Sequence, residues 1–330
     1  MIERIDYEVP ADRLTDDIDG FHVPPDDDWT QLETNWVWFF VPEHKLGCWA
    51  YHFIRPSIGL EAGSIQVWDD TAWHHTEIPY YRQVLTGKLP AERDLHDFAF
   101  STGFQWTMLE PRQRYRLRYD DEGVCTFDLE WDAIMDPWIP LRGDPPRATH
   151  LDQWGHVTGE LVLHGEKMSV DCYAMRDRSW QLTRPEGGTG PFWGGEINNG
   201  WMAAAVDAST AFFGTKWIVL DGHLSPVVES EVRRERDKEH GFLRKMVINA
   251  RDEEGRELEA VGESVSRLIA PVPNTNVVSV NSLMDYRING MQAWGDDQDS
   301  WALGTWAAMR RKQQGLVDTR PTPPNTGVEV

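Results

Sequence analysis

The chain has 330 residues, 40% of them hydrophobic and 26% charged, with 32 Lys+Arg against 54 Asp+Glu for a net charge of −22. The balance is that of a globular protein and excludes general disorder, while the acidity argues against nucleic acid or an anionic membrane as partner. The absence of an apolar run of about 18 residues predicts no membrane-spanning helix, and the opening MIERIDYEVP lacks the apolar stretch of a secretory leader. Three scattered cysteines (Cys48, Cys125, Cys172) make neither a disulfide framework nor a zinc pattern, so a reducing cytoplasm is the simplest compartment. The 17 tryptophans are the one abnormal count, and they call for a use of large, flat, amphipathic side chains.

Taken in chain order, short strand-like runs alternate with turn residues. Asn35–Val41 is aromatic and β-branched, Gly47–Arg55 follows the turn Pro42–Leu46, and Ser64–Trp68 ends at Asp69-Asp70. The clearest hairpin runs from Arg114 to Trp131: Tyr115, Leu117 and Tyr119 alternate with Arg114, Arg116 and Arg118, and Asp120–Gly123 turns the chain. Period-two alternation of this kind predicts antiparallel sheet with one wet face. His156–His164 and Met168–Tyr173 flank Gly165-Glu166, Lys216–Leu220 turns at Asp221-Gly222, and Phe242–Asn249 returns through Glu257–Ile269. Trp201–Ala208 fits a helix or a buried strand equally.

Pro137–Pro146 (PWIPLRGDPP) is rich in proline and is the best linker candidate, because proline cannot donate to a β ladder. The expected organisation is all-β, with one barrel over residues 1–145, a second over 146–315 and a flexible tail over 316–330. A barrel of about eight strands fits each half at this strand spacing.

The most distinctive stretch is Tyr173–Arg184, in which Asp177 lies between Arg176 and Arg178 with Trp180 three residues on. In an extended chain Arg176 and Arg178 share one face, and Asp177 and Ser179 share the other. An Asp held in an apolar interior could carry a proton near neutrality, whereas an Asp paired with arginine would be a structural ion pair. His150 and Asp152, two residues apart, can face the same side and support Asp177.

His150-Leu-Asp-Gln153, Gly159-Glu160, Gly165-Glu166 and Arg176-Asp-Arg-Ser-Trp180 together resemble the second-domain signature of the lipocalin-like carotenoid hydratase and tocopherol cyclase superfamily, nearest its bacterial branch. Glu33–Trp36, Val67–Asp69 and Asp299–Gly304 are similar to the same superfamily, so the resemblance spans most of the chain. It implies two lipocalin-like β-barrels packed together, with a hydrophobic pocket at or near their interface. It also implies alkene protonation without a cofactor, after which water or an internal hydroxyl captures the cation. Fungal relatives shape cycloadditions instead, so the scaffold does not dictate one reaction. The acid of the hydratases matches Asp177. Gln181 stands where glycine is usual, and Met175 stands where the hydratases place tyrosine, so Tyr173 or Tyr81 would have to supply a phenol.

A carbocation needs shelter from water and a π face. Trp36 and Trp38 alternate with Val37 and so share a face; with Trp180, Trp193 and Met175 they are the expected substrate wall, although tryptophans also serve simply as core. Pro191–Gly200, which carries Trp193, is a pocket mouth or a tight connection. His74 and His75 are adjacent, and strand neighbours point to opposite faces, so no metal is expected there. Nucleophile elbow, dinucleotide and Walker motifs are missing from the sequence. The expectation is an enzyme with Asp177 as acid, oriented by His150, Asp152, Arg178 and Tyr173, using no cofactor on a small hydrophobic substrate; a homodimer is compatible with it. The alternative is a carrier that binds a hydrophobic ligand without chemistry.

Overall fold

The alternating runs become twenty strands in the computed structural model, which describes residues 4–14, 18–22, 28–90, 94–142, 147–183, 196–205, 211–214, 216–272 and 276–313. They divide into two units, Met1–Trp68 with Pro79–Arg184, and Asp69–Ile78 with Pro185–Val330. In the first unit the strands are β1 (Gln31–Val41), β2 (Leu46–Arg55), β3 (Leu60–Trp68), β4 (Tyr80–Lys88), β5 (Asp97–Ala99), β6 (Gln105–Glu110), β7 (Arg114–Asp121), β8 (Cys125–Ala133), β9 (Leu141–Arg142), β10 (Arg147–Ala148), β11 (His150–Leu163) and β12 (Glu166–Thr183). Ten of them form one antiparallel sheet in the order β4-β3-β2-β1-β12-β11-β8-β7-β6-β5, and β9 pairs with β10 alone.

This sheet is strongly curled. Phe39 of β1 lies 5.2 Å from Phe127 of β8, although β12 and β11 stand between them in the sheet. His52 of β2 stacks on Phe100 at 4.0 Å, and the Tyr80 hydroxyl of β4 meets that of Tyr119 on β7. The inward face thus closes over an aromatic core. On β7 the expected alternation holds: Tyr115, Leu117 and Tyr119 are buried, and Arg114 and Arg116 pair with Asp132, Glu130 and Asp128 of β8 on the wet face. Cys48, Cys125 and Cys172 are free and buried.

The second unit holds β13 (Glu196–Ala205), β14 (Ala211–Gly214), β15 (Trp217–Leu220), β16 (His223–Arg236), β17 (Leu243–Asp252), β18 (Glu257–Pro271), β19 (Val277–Ile288) and β20 (Met291–Ala302), a closed barrel in which β20 pairs back with β13. Asp221 and Gly222 both have positive φ (51° and 75°), the geometry of a tight hairpin turn whose twist suits the flanking strands. Buried side chains that include Phe213, Ile218, Met246, Ile248, Ala260 and Tyr286 form the barrel core. A short helix, α1 (Leu303–Gln313), follows β20 and sets Trp306 against Trp301 at 5.9 Å. No described helix is long and apolar enough to cross a membrane.

Two sequence expectations about organisation differ from this architecture. The boundary expected at 145/146 falls inside the first unit, whose last two long strands are β11 and β12; the division follows Arg184. Pro137 and Pro140, the described prolines of this stretch, lie on the connection from β8 to β11, within the unit rather than at its end. The ambiguous Trp201 segment is strand as far as Ala205, and the 316–330 tail lies outside the described residues.

Burial among Phe100 and Phe104 pushes the His52 imidazole from 6.5 down to about 3. Between those values the unfolded chain binds a proton that the fold rejects, so stability falls as pH drops below 6.5, by about 1.4 kcal/mol per pH unit from this group. Denaturant midpoints should therefore decline more steeply between about pH 7 and about pH 5 in the native chain than in His52→Phe. Equal slopes would show that this imidazole does not set the acid sensitivity.

Candidate active site

Three central strands of the first unit bring the expected residues together. β11 and β12 pair so that Asp152 lies opposite Asp177 and His150 opposite Ser179; β1 pairs on the other side of β12 so that Trp36 lies opposite Asp177. His150 Nε2 is 3.1 Å from Asp152 Oδ1 and 3.6 Å from Asp177 Oδ2. Its Nδ1 is 2.7 Å from Ser179 Oγ. Carboxylates directly opposite one another repel, and a donor between them relieves the repulsion. His150 Nε2 is placed to supply that donor, and Nδ1 shares a hydrogen bond with the Ser179 hydroxyl. Trp138 and Asp152 exchange backbone hydrogen bonds at 2.8 and 3.0 Å, which fixes the outer flank of Asp152. The side chains of His150, Asp152 and Asp177 are 10%, 22% and 27% exposed, so the group is sheltered without being sealed.

The same face of the sheet is rich in indole. Trp36 packs edge-on against Trp49 at 5.2 Å. Trp38 stacks on Phe40 at 4.8 Å and meets Trp154 edge-on at 6.4 Å. Trp154 lies opposite Met175, two pairs along from Asp152 and Asp177 and so on the same face. Trp36, Trp38, Trp154 and Met175 are buried.

The opposite face of β12 carries the arginines. Arg178 donates to Ile18 O at 2.6 Å, to Gly20 O at 3.1 Å and to Glu33 Oε2 at 3.0 Å. Arg176 donates to Asp19 at 2.6 Å and to Gln153 at 2.9 Å, with its guanidinium 4.4 Å from the Tyr115 ring. Against the burial that would raise it, Arg176 and Arg178 hold the Asp19 carboxyl below its ordinary range. Arg178 therefore faces away from Asp177, contrary to its expected orienting role, because successive strand residues point to opposite faces. Trp180 shares the arginine face; it stacks on His22 at 4.6 Å and packs with Val9, Ile18 and Leu151, so it is core rather than site wall. Tyr173 stacks on His156 at 5.0 Å and is separated from Asp177 by the Met175–Trp154 pair, so no phenol is delivered from that position. Trp193 lies outside the described residues.

The strand register brings five of the expected site residues, His150, Asp152, Asp177, Trp36 and Trp38, to one face. Ser179, Trp49 and Trp154, which the structure adds to this face, were not among the expected site residues. Ser179 had a signal, since it shares the Asp177 face at i, i+2; the other two needed strand pairing across long sequence separations. His150, Asp152 and Asp177 also offer one nitrogen and two oxygen atoms within 4.8 Å of one another, a donor set that a mononuclear metal centre could use.

Residues 15–301 match the family described as a domain of unknown function, DUF7064. The chain belongs to this family. Curated proteins provide no sequence match to the DUF7064 chain. Its fold is shared with NE1406 of Nitrosomonas europaea, provisionally assigned as an ATTH (TM-score 0.55, 16% identity, covering 89% of this chain and 98% of that one). It is shared also with kievitone hydratase from Nectria haematococca (TM-score 0.53, 11% identity, 93% and 99% covered). CghA, crystallised with Sch210972, is a third (TM-score 0.50, 12% identity, 92% and 99% covered). At these identities the likeness is one of fold, and the all-β architecture implied by the sequence resemblance is the one observed.

The two faces of β12 should respond differently to mutation. Arg178→Met removes the guanidinium partner of the buried Glu33 carboxylate, leaving it only His22, and should lower unfolding stability by about 3–5 kcal/mol. Asp177→Asn, on the more open face, should change it by less than about 1 kcal/mol. Denaturant unfolding of both variants checks this, and similar losses in the two would contradict the division of roles.

Proposed function

We propose that this DUF7064 chain is an enzyme that moves a proton to and from an apolar, isoprenoid- or polycyclic-type substrate without a cofactor, with His150, Asp152 and Asp177 as its acid/base group. The observation that carries this reading is the His150 imidazole set 3.1 and 3.6 Å from two carboxylates on an indole-rich face. The fold shared with a hydratase adds support at the level of scaffold. In the hydration direction Asp177 gives its proton to one alkene carbon. The π pair becomes the new C–H bond, and the neighbouring carbon becomes a cation beside Trp36. Water, or a hydroxyl of the substrate, attacks that carbon through oxygen. His150 hands its Nε2 proton to the Asp177 carboxylate, and the proton that the attacking oxygen sheds refills Nε2, which restores the group. Dehydration is the reverse. Internal capture by a hydroxyl gives ring closure by the same steps. Ser179 holds the tautomer of His150 through Nδ1.

An Asp177 carboxyl capped by both Arg176 and Arg178 would favour the carrier alternative. Both guanidinium groups are instead engaged on the opposite face.

A panel of neutral isoprenoid alkenes and tertiary alcohols, incubated with the protein in heavy water, tests the proposal. Gain or loss of one water, with deuterium incorporated at carbon, is the expected mass-spectrometric result. Asp177→Asn should lower turnover by about 10²–10⁴-fold with little change in KM. Full turnover in that variant would sink the assignment of Asp177.

A further inference from the structure

The closed barrel of the second unit carries an acidic group of its own. Asp297 and Asp299 of β20 lie opposite Ser282 and Val280 of β19, on the same inward face as Ala293, which lies opposite Tyr286. Ala293, Tyr286 and Met284 belong to one apolar core; Val280, Val278 and Trp301 belong to an aromatic cluster with Phe242 and Trp306. The two carboxyl groups thus form a polar layer between two apolar ones. On β16, Arg234 and Arg236 lie opposite Met246 and Leu243, two residues of the barrel core, and so face inward as well. Arg236 pairs with Asp299 at 2.5 Å.

Asp297 stands apart within this layer. It is 1% exposed, and neither of its carboxyl oxygens has a hydrogen-bond partner among the described residues. Burial pushes its pKa well up, the Asp299 charge adds to the effect, and the opposing pull of Arg234 and Arg236 does not cancel it. The neutral acid, one O–H donor, is the form that such surroundings favour. Buried polar groups in folded proteins almost always find a partner. An anion is a poor candidate beside Asp296 and Asp299, and a cation is a poor one beside Arg234 and Arg236. A neutral acceptor oxygen fits, and the layers above and below require that the rest of its carrier be apolar. The interior of an eight-strand barrel is either filled by its own side chains or holds one small ligand, and the unsatisfied Asp297 carboxyl favours the second.

We propose that the interior of this barrel binds a small, largely apolar molecule through a carbonyl oxygen that accepts a hydrogen bond from the Asp297 carboxyl. This site lies wholly within the second unit and is independent of the acid/base group on β11 and β12.

The aryl ketone 6-propionyl-2-(dimethylamino)naphthalene is a suitable probe, with carbonyl-free 2-(dimethylamino)naphthalene as its control. Fluorescence titration of the full chain should show the ketone binding about tenfold more tightly than the control. Asp297→Ala should remove that advantage. Asp297→Asn, which keeps an N–H donor of similar size, should retain most of it, and Asp177→Asn should leave it unchanged. Infrared spectra of the native chain at neutral pH should show the C=O stretch of a protonated carboxyl, absent in Asp297→Asn, that moves to lower frequency when the ketone binds. If both Asp297 variants unfold, this band in the native chain decides alone. An unmoved band, or an Asp297→Ala affinity equal to the native one, overturns the proposal and leaves water or the chain itself as the partner of Asp297.

Discussion

Two guanidinium groups buried on one face of β12 are the constraint on which the rest of the first unit depends. Arg176 and Arg178 are fully buried, and a buried charge is tolerable only when it is paired. Their partners come from far away in sequence: Asp19 and the carbonyls of Ile18 and Gly20 from the N-terminal segment, and Glu33 from β1. Once these pairs form, β12 can neither slip nor rotate, because a shift of one residue would expose the arginines and bury Asp177 among aromatic rings. The arginines that flank Asp177 in sequence therefore act on it by register alone. They aim it to the other side of the sheet, where His150 and Asp152 wait.

The tryptophan count follows from the same division. Inside the curl, Trp106 and Trp131 lie 5.9 and 5.7 Å from the Arg176 guanidinium, with Tyr115 closer still, so part of the aromatic excess packs around a buried cation. On the reverse face, Trp36, Trp38, Trp49 and Trp154 are buried on the side of the sheet that carries Asp177. The barrel of the second unit uses Trp217 and Trp301 as core. One residue type thus serves three physical ends, and its abundance by itself identified none of them.

The acidic groups around Asp177 and around Asp297 differ in their surroundings. Asp177 and Asp152 share an imidazole and keep some access to solvent, so a proton can enter, move and leave. Asp297 is sealed between apolar layers, where a proton once placed has little reason to depart; such a group suits holding a ligand better than turning one over. A shared fold with a hydratase is compatible with either use, because fold and chemistry are separable.

Much of the architecture was legible in the sequence. Alternation on β7 and β8, the Asp221-Gly222 turn, and the pairing of His150 and Asp152 on the face of Asp177 all follow from the two-residue period of a strand, which is a local property. The same period already set Arg176 and Arg178 apart from Asp177, although the functional consequence for Arg178 emerged only when its partners were known. Tertiary structure alone decided the rest. It carried β11 and β12 past the proline-rich stretch into the first unit, placed Trp154 and Trp49 beside Trp38 and Trp36, turned Trp180 into core, and sealed Asp297 inside a barrel. Each of these depends on which strands pair across long separations. That choice is made by burial and charge pairing summed over the whole sheet, which no local pattern contains.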